Sequence, residues 1–460
     1  MSSNDKAEQG MLLRANRLAD GGKLDLALAE FDRLLERYPE CFEGFLQRAR
    51  LRADKGNHAG ALADIDRAHV IDPESPAVFV SRCTIHQMMG RTDDARRDLQ
   101  EGMRASPRDP MLHLAQAQMA LNDEEYEAAI EGIDRATEYS EEEMPLARFL
   151  RAQTLLEMGE PVDALEENDA ALKLDSTQPG FHRQRGEILM ELDRAEEAAP
   201  AFRAAVRAQP QEADHHVALA RAEAELGDPD KALASLNKAV SLAPDDSAIL
   251  HFRGAVLATL ERYDEALADG ARALELDPED VDLKTSYAAL LAHSGAPERG
   301  IEELTRIIDG GHDGPEAREH RGAAYQMIGD WDRAIVDFEK AIEAETEDEE
   351  TIVKLGICLR EAGRTAEAIE RLDEAVETLD DDPWPRRERA AAHLAGGDRE
   401  AAEADLRAAM ELDPDDVENC LAMADFLEES GETEEAEKLR ERAEQLEAEW
   451  DDEDEEDDER

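Results

Sequence analysis

The sequence predicts an all-α solenoid, about thirteen helical hairpins joined end to end, and three observations carry that prediction. An alanine returns every 34 residues along almost the whole chain. Small residues, glycines and prolines hold fixed offsets from it. Of 460 residues 42% are hydrophobic but only 4% aromatic, which suits a long core of small and aliphatic side chains and not a conventional aromatic one.

The recurring anchor runs through Ala27, Ala61, Ala95 and Ala129, slips by one residue near Glu141 to Met144, and resumes at Ala164, Ala198, Ala232 and Ala266. It continues through Gly300, Ala334, Ala368, Ala402 and Ala436. Twelve residues before each anchor stands a small residue, among them Ala15, Cys83, Ala117, Gly186 and Gly322. Such residues let two helix backbones approach closely. Five before the anchor stands glycine in ten repeats, including Gly22, Gly56, Gly159, Gly329 and Gly431. Glycine there suits a left-handed residue closing a helix. Twelve after it, Pro39, Pro73, Pro107, Pro210, Pro244, Pro278 and Pro414 stop the second helix.

Between these markers apolar residues fall at i, i+4 and i+7, as in Ala334, Phe338 and Ala341, one face of a helix. Each repeat therefore reads helix, turn, helix, loop. In the tenth, the helices are expected over Glu316 to Ile328 and Trp331 to Glu345.

The pattern resembles the tetratricopeptide repeat, best matched by Gly322, Tyr325, Gly329, Trp331, Ala334, Phe338 and Ala341. The resemblance covers about Glu8 to Trp450 and implies a right-handed superhelix. It divides the chain into a tail (1–7), repeats one to four (8–144), five to nine (145–314), ten to thirteen with a cap (315–450), and an acidic disordered tail (451–460).

Departures from the family pattern fall at particular places. The second-helix aromatic becomes Asn168, Gly270 and Arg440. Arg440 reads as a solvated cap, because a terminal repeat has no neighbour. Asn168 and Gly270 are expected to mark thin packing. Gly310, Gly311 and Gly314 give a flexible joint, a loop excursion or a hinge. Arginine just before the small residue (Arg14, Arg48, Arg82, Arg151, Arg185, Arg253, Arg321, Arg389) is expected to span neighbouring repeats and pair with acids.

Charge narrows the partners. Lys and Arg total 52 against 114 Asp and Glu, a net charge of −62, which disfavours nucleic acid and anionic bilayers. No apolar run approaches the ~20 residues of a membrane span, and the polar Met1 to Gly10 carries no signal-peptide core. The 4 cysteines include no C-x-x-C pair. The expectation is a soluble, cytoplasmic protein without membrane insertion. Its carboxylate surface serves either attraction to basic partners or solubility in a salt-rich cytoplasm.

Chemistry is not expected. Phosphate-binding glycine loops, zinc-protease and serine-hydrolase motifs are all missing. Adjacent His215 and His216 point in different directions on a helix, and Cys83 sits in the small-residue position as a space-filler. No enzyme, cofactor or metal site is predicted.

The family resemblance implies that partner segments lie against the first helices. The matching positions here are Asn16, Gln47, Arg50, Thr84, Gln118, Gln153, Arg183, Glu187, Arg221, His251, His320, Lys354 and Arg387. Members that bind chaperone tails hold a terminal carboxylate with lysine and asparagine. Here those places are Leu12 with Asn16, Leu46 with Arg50 and Phe149 with Gln153, so that clamp is not expected. The reading is a non-catalytic scaffold or adaptor for other proteins or peptides. The alternative is a regulatory or substrate-recognition subunit of a separately encoded enzyme.

Overall fold

The computed structural model describes residues 3–344 and 349–458. Among them are twenty-six α-helices, paired into thirteen antiparallel hairpins. Odd-numbered helices are the first members and even-numbered ones the second. The chain forms two compact units, Met1–Ser235 and Leu236–Arg460.

The N-terminal unit holds α1 (Ser3–Asp20), α2 (Leu24–Arg37), α3 (Phe42–Asp54), α4 (His58–Ile71), α5 (Pro76–Met88), α6 (Thr92–Ala105) and α7 (Pro110–Asn122). It continues with α8 (Tyr126–Tyr139), α9 (Pro145–Glu157), α10 (Pro161–Leu174), α11 (Pro179–Glu191), α12 (Ala195–Ala208) and α13 (Ala213–Glu225). The boundary between units falls inside α14 (Pro229–Leu242). The C-terminal unit holds α15 (Ser247–Thr259), α16 (Tyr263–Leu276), α17 (Val281–His293), α18 (Pro297–Asp309), α19 (Pro315–Met327) and α20 (Trp331–Ala344). It ends with α21 (Glu349–Glu361), α22 (Thr365–Thr378), α23 (Pro383–Gly396), α24 (Arg399–Leu412), α25 (Val417–Ser430) and α26 (Thr433–Asp458).

The tenth hairpin matches its expectation to within a residue, apart from Glu345, which lies outside the described residues. The ends differ from expectation. Helix α1 starts at Ser3, inside the segment read as a tail. Helix α26 carries helical backbone through the acidic run to Asp458. Extending a formed helix needs no new nucleus, and glutamate is a good helix former.

First helices start where the chain offers proline or aspartate. Pro76, Pro110, Pro145, Pro179, Pro315 and Pro383 sit in the first turn, where no backbone N–H is needed. Asp109, Asp246 and Asp280 each accept hydrogen bonds from the backbone N–H groups two and three residues on, capping α7, α15 and α17.

The hairpin turn repeats one backbone feature. The residue five before the anchor has a left-handed φ throughout, and in the three repeats without glycine it is Glu124 (61°), Asp193 (55°) or Glu261 (55°). A side chain in that region costs roughly 1 kcal/mol or more relative to glycine. Glu124→Gly, Asp193→Gly and Glu261→Gly together should therefore raise stability by about 3 kcal/mol, less what glycine loses through unfolded-chain entropy. A denaturation midpoint that does not rise would show that these turns relax without strain.

The core follows the predicted periodicity. Every alanine anchor is at most 1% exposed. In the small-residue position a Cβ on Gly186 would lie 2.5 Å from the Phe202 ring, and one on Gly356 would lie 2.6 Å from Leu372. At these two places glycine leaves the room that the opposing second-helix side chain fills.

Two expectations of thin packing need correction. Asn168 is fully buried and donates to Gln184 Oε1 at 2.6 Å, so a polar pair fills that place. Beside Gly270 lies the Tyr287 ring of the next hairpin, 2.9 Å from where a Cβ would stand. The ring occupies the space the side chain leaves.

The arginine ladder behaves as its spacing implies. Arg48 grips Asp64 of its own hairpin at 2.5 and 2.9 Å and Asp32 of the preceding one at 2.7 Å. Arg389 does the same with Asp405 at 2.6 and 2.9 Å and Asp373 at 2.7 Å. Arg253 and Arg321 bind Asp269 and Asp337 bidentately and reach back to Asn237 and Thr305. One planar guanidinium thus ties three helices together. Arg440 at the end turns instead to Asp425 and Glu428 on the surface, as a cap should.

Candidate protein-binding groove

Within each unit the first helices pack on one another, α3 on α5, α5 on α7, α7 on α9, α9 on α11 and α11 on α13, then α17 on α19, α19 on α21, α21 on α23 and α23 on α25. This layer carries the candidate residues. Eleven before the anchor stand Asn16, Arg50, Thr84, Gln118, Gln153, Glu187 and Arg221, all exposed or half-exposed. Thr84 donates to Val80 O, and Gln118 to Asn122 Oδ1, each within its own helix. Gln47 donates to Glu43, also on its own helix.

Arg183 and Arg221 come together around Glu187. The Arg183 Nη1 to Glu187 Oε1 distance is 3.1 Å. Burial pushes the Glu187 carboxyl above its ordinary value, opposed by both arginines. Neighbouring His215 is buried with an unpartnered Nδ1, and burial holds its pKa below the usual imidazole value.

In the C-terminal unit the candidates are each engaged by a neighbour. His251 meets Ser286 Oγ at 3.0 Å, His320 lies 3.8 Å from Glu316, and Lys354 Nζ lies 2.7 Å from Glu319. Arg387 donates to Asn419 at 2.9 Å. Ser286, Glu319 and Asn419 were not singled out in the sequence. The signal was available for two of them, since His251–Ser286 and Glu319–Lys354 are each separated by 35 residues, one repeat plus one. The thirteen candidates lie in rows along the first helices of each unit and do not converge on one centre.

Burial pushes the thiols of Cys41 and Cys83 up to about 11 and that of Cys358 up to about 12, and Cys420 is also raised. A thiol held protonated is a poor nucleophile. Among the described residues no three His, Cys, Asp or Glu side chains could hold a metal ion, and no helix is long and apolar enough to cross a membrane.

One family model, described as tetratricopeptide repeat, matches residues 12–76, 86–143, 125–179, 183–247 and 217–281. A second of the same description matches residues 329–386 and 393–451. The chain belongs to the tetratricopeptide-repeat family. No curated protein matches it. Among solved structures it is similar to yeast Tom70, with 16% identity over 97% of each chain and a TM-score of 0.47. It is also similar to the Cut9–Hcn1 hetero-tetramer of the APC/C, at 13% identity over 93% of this chain and 97% of that one, TM-score 0.46. The tetratricopeptide-repeat domain of P58(IPK) matches at 17% identity over 87% of this chain and 99% of that one, TM-score 0.33.

Membership makes this array one of a family of protein-interaction scaffolds. In this tetratricopeptide-repeat chain the places where a tail-binding clamp would carry lysine are packed. Leu12 and Leu46 lie against the N-terminal core, and Phe149 stacks on Phe181 with ring centroids 5.0 Å apart.

Proposed function

We propose that the protein is a non-catalytic adaptor whose first-helix layer captures segments of partner proteins. The observation that carries this is the row at one offset in the N-terminal unit. Its amide, hydroxyl and guanidinium groups face outward and bond, where they bond at all, within their own helix. Side chains that staple hairpins together, such as Arg48 and Arg253, sit elsewhere and are spoken for. An outward row of unspent donors and acceptors supports hydrogen bonding to a partner's backbone or polar side chains.

Native pull-down with the full chain at physiological salt tests this. Defined partners should be recovered, and at least one should be lost when Arg183→Glu and Arg221→Glu are combined. Recovery of nothing above background, or identical recovery with the double variant, would count against the proposal.

A further inference from the structure

The ninth repeat ends unlike the others, and a cavity opens beside its end. Among the described residues left-handed φ is otherwise confined to the hairpin turns, but Gly311 (96°) follows a second helix, α18. That helix has 13 residues where α16 and α20 have 14, and Gly311 N and His312 N fold back onto Ile308 O and Ile307 O. A helix closed on glycine in this way turns its chain aside early. His312, Asp313 and Gly314 then wall a cavity of about 700 Å³ together with the N-terminal halves of α17 and α19.

The lining carries one sign of fixed charge. Four carboxylates border it, Asp282, Asp313, Glu316 and Glu319, and no lysine or arginine does among the described residues. Two of the four are neutralised from outside, Asp313 by Arg318 at 2.5 and 2.8 Å and Glu319 by Lys354 at 2.7 Å. Glu316 meets the His320 imidazole at 3.8 Å, and that neighbour holds its carboxyl below the ordinary value. Asp282 has no cationic partner among the described residues.

Thr285 adds an observation independent of charge. It lines the cavity and is only 3% exposed, yet its hydroxyl has no hydrogen-bond partner among the described residues. On either side the same register is bonded. His251 meets Ser286 Oγ at 3.0 Å and Lys354 meets Glu319 at 2.7 Å, pairs 35 residues apart that join one first helix to the next. The link between them, Thr285 with His320, is not made. A buried hydroxyl without a partner carries a desolvation cost that a ligand can offset.

We propose that this cavity binds a small aliphatic diamine, with one ammonium on Asp282, the other on Glu316, and Thr285 Oγ1 accepting a hydrogen bond. Charge-assisted bonds to carboxylates are the strong ones, and two carboxylates short of a cation call for two positive charges. Val281, Pro315 and Ala317 offer apolar surface to the alkyl stem. The volume lies within the roughly 300–1,000 Å³ of small-molecule sites. A metal ion fits less well, because no three described side chains here could hold one. A partner's lysine brings the same ammonium on an alkyl stem but a single charge, so the second carboxylate favours the free diamine.

Titration calorimetry of the full chain with diaminobutane at physiological salt tests this. One saturable site should appear, about tenfold or more tighter than for butylamine, acetyl-lysine methylamide or magnesium. Thr285→Val keeps the side-chain shape and should weaken binding severalfold, and Asp282→Asn with Glu316→Gln should abolish it. Circular dichroism should be unchanged in both. Glu40→Gln with Glu74→Gln removes the same charge from exposed places in the N-terminal unit and should leave affinity intact. Bound diamine should slow hydrogen exchange in α17 and α19 and not in α5 or α7.

The absence of a saturable site would overturn the proposal, as would equal binding of butylamine, the lysine derivative or magnesium. Indifference to both the Thr285 and the paired carboxylate variants would do the same. Loss of affinity in the Glu40 and Glu74 pair would also overturn it, by reducing the binding to attraction by overall charge.

Discussion

Removing the carboxylate of Asp337 should cost the C-terminal unit about 3–5 kcal/mol, the range seen when one member of a buried ion pair is deleted. Asp337 is 1% exposed and serves two guanidiniums: Arg318 at 2.6 Å, and Arg321 at 2.7 and 2.8 Å. Asp313 also holds Arg318, at 2.5 and 2.8 Å, and that bond keeps the Asp313 carboxyl below its ordinary value. Asp313 is surface-exposed and cannot replace a partner beneath the helix pair. Asp337→Ala would leave Arg321 with Thr305 and little else.

Repeat arrays open locally, so the effect belongs to a region and not to one global transition. Hydrogen exchange should speed up across α19 and α20, while the hairpins of the N-terminal unit keep their protection. Replacing the whole cluster by apolar residues (Arg318→Met, Arg321→Leu and Asp337→Leu together) should recover most of the loss, because the desolvation cost leaves with the charges. Unchanged protection in Asp337→Ala would mean that the cluster is solvated and weak.

That cluster also shows how far the sequence could be read. The arginine before each small residue was visible as a periodic feature, and its role as a staple followed from spacing. Its acceptors, an acid sixteen residues on for Arg48, Arg253, Arg321 and Arg389 but one in the preceding hairpin for Arg151 and Arg185, were hidden because acids are everywhere in this chain. Hairpin boundaries were legible because proline, glycine and alanine each impose a backbone or steric requirement. Glu124, Asp193 and Glu261 were not, since nothing in a glutamate announces a left-handed φ; only its place in the repeat does. Asn168 and Gly270 misled for a related reason. Each was judged against a family pattern, whereas Gln184 and Tyr287 from adjoining hairpins complete the packing. Candidate groove residues were legible as a row but not as individuals. Whether Lys354 is free to meet a partner depends on Glu319, one hairpin away.

Ala334→Asp should have the second large effect, and Val336→Asp, two residues along the same helix, almost none. Ala334 is 0% exposed within the cluster of Tyr325, Phe338, Ile352 and Val353, whereas Val336 is 48% exposed. Aspartate has a single methylene between backbone and carboxylate, so at the anchor it cannot reach water. A charge confined there costs several kcal/mol, and the chain will open that hairpin sooner than keep it buried. At position 336 the same carboxylate is solvated, and a surface change of this kind stays within about 0.5 kcal/mol. Thermal melts and hydrogen exchange on both variants make the comparison internal, since each adds one aspartate to the same helix and net charge changes equally. Protection lost across α19, α20 and α21 in Ala334→Asp alone would tie the 34-residue repeat to buried helix contacts. Two melts within a degree of each other would break that tie, and with it the placement of every side chain counted from the anchor.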